Sequence, residues 1–290
     1  MMLKVTLALV LSQYVRSKVD DADPASQCLW WMQDKQIVLR QHVDGDPELT
    51  GDAEFTAISK SIATWQTQLT SCASLRLLEG ERTRTRDIGF FEKLKTETSD
   101  SNENVILFRL RKCADVVPAS DGCFTDSNCG NKYDCWEHQS AAIAITTTSY
   151  NPETGLILDS DIEYNVPSFL FTTVDSPACV APNYNLNCVA TDVQNTTTHE
   201  LGHLLGLAHF SGTNSTMNPR ANPGETSKRS LDQGTAQFVC DAYPAGKPTK
   251  TCKIVPVSST LGTAAKGCSS APGLLPLLAG LAFVRRRRAR

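Results

Sequence analysis

The chain has 290 residues, of which 41% are hydrophobic and 20% charged, the balance of a globular protein with room for one large domain or two small ones. Its net charge is −3, yet five arginines lie within residues 285–290, so the remainder is distinctly acidic. That argues against nucleic acid or anionic membrane surfaces as the main partner. Eleven cysteines are too many for an ordinary cytosolic enzyme, whose thiols are kept reduced. Disulfides and a metal cluster are the two competing uses for them. A zinc ribbon needs C-x-x-C pairs, which do not occur. Cys123, Cys129 and Cys135, with five residues between each and the next in a Gly/Asn/Asp-rich stretch, have the form of a disulfide-stapled loop.

From the N-terminus, Lys4 precedes an apolar run over residues 5–11, which predicts a signal peptide within residues 1–20, although no A-x-A cleavage site follows. Residues 28–243 read as one domain. The segment 36–43 is rich in β-branched and apolar residues and ends at Asp44-Gly45, as a strand does. Between 54 and 69, Phe55, Ile58, Ile62, Trp65 and Leu69 recur at steps of three and four, which predicts an amphipathic helix. Further strands are expected over 105–110, 141–146 and 156–164, the last two separated by a turn at Asn151-Pro152. A short helix is expected over 197–205, stopped by Gly206, and a last helix over 231–239. The fold class is therefore α+β with a mixed sheet. Residues 244–267 lose periodicity and turn to Pro, Gly, Lys, Thr and Ser, the composition of a linker. Residues 268–290 hold Cys268, an apolar run over 271–284 and the arginines.

The stretch His199-Glu-Leu-Gly-His-Leu-Leu-Gly-Leu-Ala-His209 carries the chemistry. On a helix, His199 and His203 fall one turn apart on one face, so their imidazoles can converge on a cation. Gly206 can take a backbone conformation that other residues avoid, turning the chain so that His209 returns as a third ligand. Three protein ligands leave a fourth place for water, the arrangement of a catalytic zinc site. Glu200 sits beside them, free to act as general base on that water.

This pattern resembles the metzincin signature, and Met217, eight residues after His209 within Ser215-Thr-Met-Asn-Pro219, resembles the family's methionine turn at the spacing found in matrixins. The resemblance implies a zincin fold, a twisted mixed sheet with two long helices and a small irregular subdomain after His209. It also implies one catalytic Zn2+ and a metalloendopeptidase that cleaves peptide bonds of extracellular protein or peptide substrates by Glu200-assisted attack of zinc-bound water. Residues 141–146 are similar to the strand that borders the family's cleft. The chain departs from matrixins in three respects. Only His42 and His138 lie outside the motif, too few for a second, histidine-rich zinc site. No Pro-Arg-Cys-Gly motif precedes the domain, and Phe210 follows the third histidine, where matrixins usually have a small or polar residue. Asp159, Asp161 and Glu163 offer carboxylates to Ca2+, but alternate acidic residues on a strand are more often a solvated face. A non-catalytic adhesin and a hydrolase of non-peptide amides are the competing readings. The intact motif disfavours the first, and the cleft-border strand disfavours the second.

In the tail, 14 apolar-run residues with two prolines are short for a span of about 30 Å of hydrocarbon. Glycine, Cys268 and serine, then an apolar run and terminal arginines, resemble the Myxo-CTERM sorting signal of bacterial surface proteins. That resemblance implies a sorting protease that cuts near Cys268 and outer-membrane attachment of the mature chain, with an uncleaved anchor as the alternative. It also accounts for the odd cysteine, leaving ten to form five pairs. Cys179 with Cys188 and Cys240 with Cys252 are the nearest candidates, though sequence does not fix connectivity.

Overall fold

The computed structural model describes residues 13–90 and 102–252, together with the backbone of a strand at Phe283–Arg288. In chain order the elements are β1 (Val15–Arg16), β2 (Gln36–Gln41), α1 (Ala53–Cys72), β3 (Arg76–Glu79) and β4 (Asn104–Arg109). The short helices α2 (Cys113–Val116), α3 (Cys123–Asp126) and α4 (Cys129–Tyr133) follow, then β5 (Ala144–Tyr150), β6 (Ile157–Asn165), β7 (Phe171–Thr172) and β8 (Thr191–Asp192). The rest are α5 (Val193–Leu204), β9 (Leu207–Ala208), α6 (Gln233–Ala242) and β10 (Phe283–Arg288). The main sheet runs β10-β5-β6-β4-β2-β3, parallel throughout except for the antiparallel pairing of β5 with β6. This is the mixed sheet of the expected α+β class.

Strand alternation decides which side chains meet the helices. Ile37, Leu39, Ile106, Phe108, Ile162 and Tyr164 join the main core with Ile58, Trp65 and Leu69 of α1 and Leu201 and Leu204 of α5. On the opposite face Val105 and Leu107 pack with Ile88. There the expectation of a solvated acidic stripe fails: Asp159, Asp161 and Glu163 are all buried. Asp161 accepts the backbone N–H groups of Gly89 (2.7 Å) and Val105 (2.8 Å). Glu163 meets Arg109 Nε at 2.7 Å and His138 Nε2 at 3.1 Å. Residues 86–90 and the insert after β4 cover this face, so the strand is buried on both sides.

All ten cysteines other than Cys268 pair, in five disulfides. Cys179–Cys188 forms as expected, and Cys113–Cys135 with Cys123–Cys129 staple the insert. The Cys240–Cys252 pairing does not form. Cys240 on α6 joins Cys72 at the end of α1, and Cys252 joins Cys28. The reason is packing: α6 lies against α1, and the chain after α6 runs back beside the N-terminal segment, where Cys28 N–H donates to Thr251 O at 3.2 Å. Residues 244–252, assigned to a linker by composition, are therefore fastened to the folded unit, with Ala245 N–H bonded to Cys72 O and Lys250 N–H to Ala242 O, each at 2.9 Å. The N-terminal segment behaves likewise. β1 pairs antiparallel with β9, and Ser17 is fully buried, so a leader reaching residue 20 would include residues that the fold uses. The apolar run at 5–11 and Cys268 lie outside the described residues.

Candidate metal centre

Helix α5 opens on Asp192, whose Oδ1 accepts Asn195 N–H at 2.7 Å, an N-cap that satisfies one of the donors a helix start leaves free. Arg229 holds that carboxylate in turn, Nε to Oδ1 at 2.8 Å and Nη2 to Oδ2 at 2.6 Å. Two indoles and a phenol bind the helix backbone from below. Trp65 Nε1 donates to Thr198 O (2.9 Å), Trp31 Nε1 to Leu204 O (2.8 Å) and Tyr243 Oη to Leu205 O (2.6 Å). All three side chains are fully buried. A rigid helix end is the result, and it breaks at Gly206. The φ of +100° at Gly206 is the backbone state expected there, and a Cβ would sit 2.8 Å from Leu29 O.

The turn brings His209 back to His199 and His203. Their Nε2 atoms form a nearly equilateral triangle, with separations of 3.3 Å (His199–His209), 3.1 Å (His203–His199) and 3.1 Å (His203–His209). Among the described residues this is the one group of three or more potential metal ligands. The second ring nitrogens of His199 and His203 are committed elsewhere. His199 Nδ1–H donates to Thr216 O at 2.6 Å and His203 Nδ1–H to Leu207 O at 2.8 Å. That fixes the tautomers so that the Nε2 lone pairs of both rings converge. Burial keeps the His199 and His209 rings neutral, holding His199 down to about 3 and His209 to about 4. Converging lone pairs in a buried place repel one another unless a cation lies between them. The triangle also fits zinc: tetrahedral arms of about 2.0–2.1 Å span roughly 3.3 Å between nitrogens.

Glu200 is fully buried next to His199. Its Oε2 accepts from Thr146 Oγ1 of β5 at 2.6 Å, whereas Oε1 has no hydrogen-bond partner. Burial raises its carboxyl to about 8, against the Thr146 hydrogen bond that lowers it. His199 and Glu200 line a recess with Ile143, Asn195, Asn218 and Lys228. Lys228 is buried, with Nζ on Arg220 O at 2.7 Å and on the Glu225 carboxylate.

Met217 lies beneath, fully buried, with its sulfur against the helix at Gly202, where an added Cβ would come within 2.3 Å of Sδ. The methionine turn is pinned by Asp232, which accepts Thr216 N–H at 2.8 Å while capping α6 through Gly234 N–H at 2.9 Å. All of the sequence-marked residues His199, Glu200, His203, His209 and Met217 thus meet at one place. Thr146, Gly202 and Asp232 escaped the sequence reading. Gly202 had a visible signal, a glycine inside the helical motif, whereas Thr146 and Asp232 reach the site only through tertiary packing. The family model described as Matrixin matches residues 31–243. A search of curated proteins finds no match.

Proposed function

From the chain's membership of the matrixin family of zinc metalloendopeptidases, we propose that it hydrolyses peptide bonds in extracellular proteins with Glu200 as the general base. The observation that carries this reading is the Nε2 triangle of His199, His203 and His209 beside a buried carboxylate with one unpartnered oxygen. These three histidines would hold zinc, which when bound lowers the pKa of water to about 7 and polarises the scissile carbonyl. With a zinc charge alongside to offset the burial that raises its carboxyl, Glu200 Oε1 would take a proton from the attacking water as the O–C bond forms. The same oxygen returns the proton to the amide nitrogen as the C–N bond breaks, and no acyl-enzyme is made. Ile143 lines the recess just ahead of β5, whose edge away from β6 is paired with β10 from Ile145 to Tyr150. The five disulfides support work in an oxidising compartment. Cleavage of casein with and without a chelator, alongside metal analysis, tests the reading. His203→Ala should lose the zinc, and Glu200→Ala should keep about one zinc per chain yet lose on the order of 10²–10⁴-fold in turnover. Turnover near that of the wild type in Glu200→Ala would sink the assignment of the base.

For the tail we propose processing near Cys268 by a sorting protease, followed by attachment at the outer surface. The odd cysteine, the short apolar run and the terminal arginines support it. Intact-mass measurement of protein from the native host decides it, and a mature chain ending at Arg290 would overturn it.

A further inference from the structure

The hydroxyls of the three consecutive threonines in β5 have different fates. Thr148 Oγ1 lies 2.9 Å from Ser160 Oγ within the sheet. Thr147 Oγ1 is buried without a partner. Only Thr146 reaches the metal-site helix, with Oγ1 2.6 Å from Glu200 Oε2 and 3.1 Å from the Glu200 carbonyl oxygen. Both residues are fully buried, so no bulk water competes for the contact. A glutamate side chain has three rotatable bonds, and a general base works only if one oxygen faces the reacting proton. The pairing register fixes Thr146 opposite Ile162, whose side chain is locked in the core, so the hydroxyl cannot drift from its place over the helix.

We propose that Thr146 is the positioning residue of the catalytic base: its hydroxyl clamps Glu200 Oε2 so that Oε1 alone is presented to the recess. The proposal rests on the reading of Glu200 as base, which the Glu200→Ala assay decides separately. Thr146 has no contact with substrate in this role, so its effect belongs to kcat and leaves KM unchanged. Serine keeps the hydroxyl and valine keeps the shape without it.

The test is steady-state cleavage of a peptide substrate by zinc-loaded full-length chains, with metal content and thermal unfolding measured on the same samples. Thr146→Val should keep its zinc and fold while kcat falls by about 100-fold, the effect of a roughly 1 Å misplacement of a catalytic group, at nearly constant KM. Thr146→Ser should restore kcat to within about threefold of the wild type by supplying the same hydrogen bond. Introduced into Glu200→Ala, Thr146→Val should change the residual rate by less than about threefold, because its whole effect runs through Glu200. An undiminished kcat in Thr146→Val, an equal loss in the Glu200→Ala background, or failure of serine to rescue would each overturn the proposal. Should valine prevent folding, Thr146→Ala takes its place. Loss of zinc or fold in both would make Thr146 a structural residue and overturn the positioning role.

Discussion

Asp159 and Asp161 point to the same side of β6, buried together under residues 86–90. Asp161 spends both carboxylate oxygens on backbone N–H groups, while Asp159 Oδ2 has no donor. Two carboxylates in contact cannot both ionise in such a place, so the pair shares a proton. Burial pushes Asp159 up to about 6, and burial with the neighbouring Asp159 carboxyl holds Asp161 well above the usual range. The sign follows from linkage. The folded chain holds a proton that the unfolded chain, with Asp near 3.9, releases. The part of this stabilisation held by Asp159 is complete below about pH 4 and is lost as the pH rises through about 6, whereas the part held by Asp161 persists to higher pH. Glu163 on the same strand is held down to about 2; although burial opposes ionisation, Arg109 and His138 outweigh it, so its contribution changes only in acid. We predict that in Asp159→Asn, where the amide can donate to Asp161 without a shared proton, the fall in unfolding free energy between about pH 4 and 6 is smaller than in the wild type by on the order of 2 kcal/mol. Denaturant titrations at several pH values give the slopes, and equal slopes in the two proteins would refute the shared proton.

The elements that position the site were legible to different degrees, for physical reasons. Helix α1 was plain because a 20-residue helix with one buried stripe repeats its signal over many turns. Helix α5 was found from its metal motif, but its start was placed four residues late. The missed turn is Val193-Gln-Asn-Thr196, β-branched and polar, with weak intrinsic preference for helix. It forms because Asp192 caps it and because Thr197 and Thr198 turn their hydroxyls onto Val193 O and Gln194 O at 2.7 and 2.8 Å. Helices α2, α3 and α4 gave no periodic signal, being four or five residues long and held by disulfides. The acidic alternation of β6 was misread as a solvated face because the Arg109 and His138 that neutralise Glu163 come from elements 54 and 25 residues away. The three histidines, by contrast, are within 11 residues, and local geometry alone brings them together. The part of the site that depends on distant chain, Thr146 to Glu200 across 54 residues and Asp232 to Thr216 across 16, had no sequence signal.

At the scale of the whole molecule, the chain is closed by two long-range bridges that act together. Cys28–Cys252 joins residues 224 apart and Cys72–Cys240 residues 168 apart. With the second in place, the loop that the first closes runs only from Cys28 to Cys72, crosses the bridge, and returns from Cys240 to Cys252. On chain entropy that shorter loop of about 55 residues corresponds to roughly 4 kcal/mol, against about 2 kcal/mol for the six-residue separation of Cys123–Cys129. The bridge also bears on the metal centre. It secures the N-terminal segment, in which Ser17 N–H donates to Gly206 O at 2.8 Å and Ser17 Oγ to Leu207 O at 2.9 Å. Leu207 O is the acceptor that orients His203 through its Nδ1–H. Removing the bridge by Cys28→Ser with Cys252→Ser should therefore lower the unfolding free energy by about 3–4 kcal/mol. It should also weaken zinc retention by about 10-fold, the lower end of what outer-shell partners contribute. Cys123→Ser with Cys129→Ser, in the insert on the far face of the sheet, should lower stability by about 2 kcal/mol or less and leave zinc affinity unchanged. Denaturant unfolding and competition with a zinc chelator measure the two quantities independently. If both double variants lose equal stability and hold zinc equally well, the N-terminal segment is only an attachment and does not support the metal-site turn.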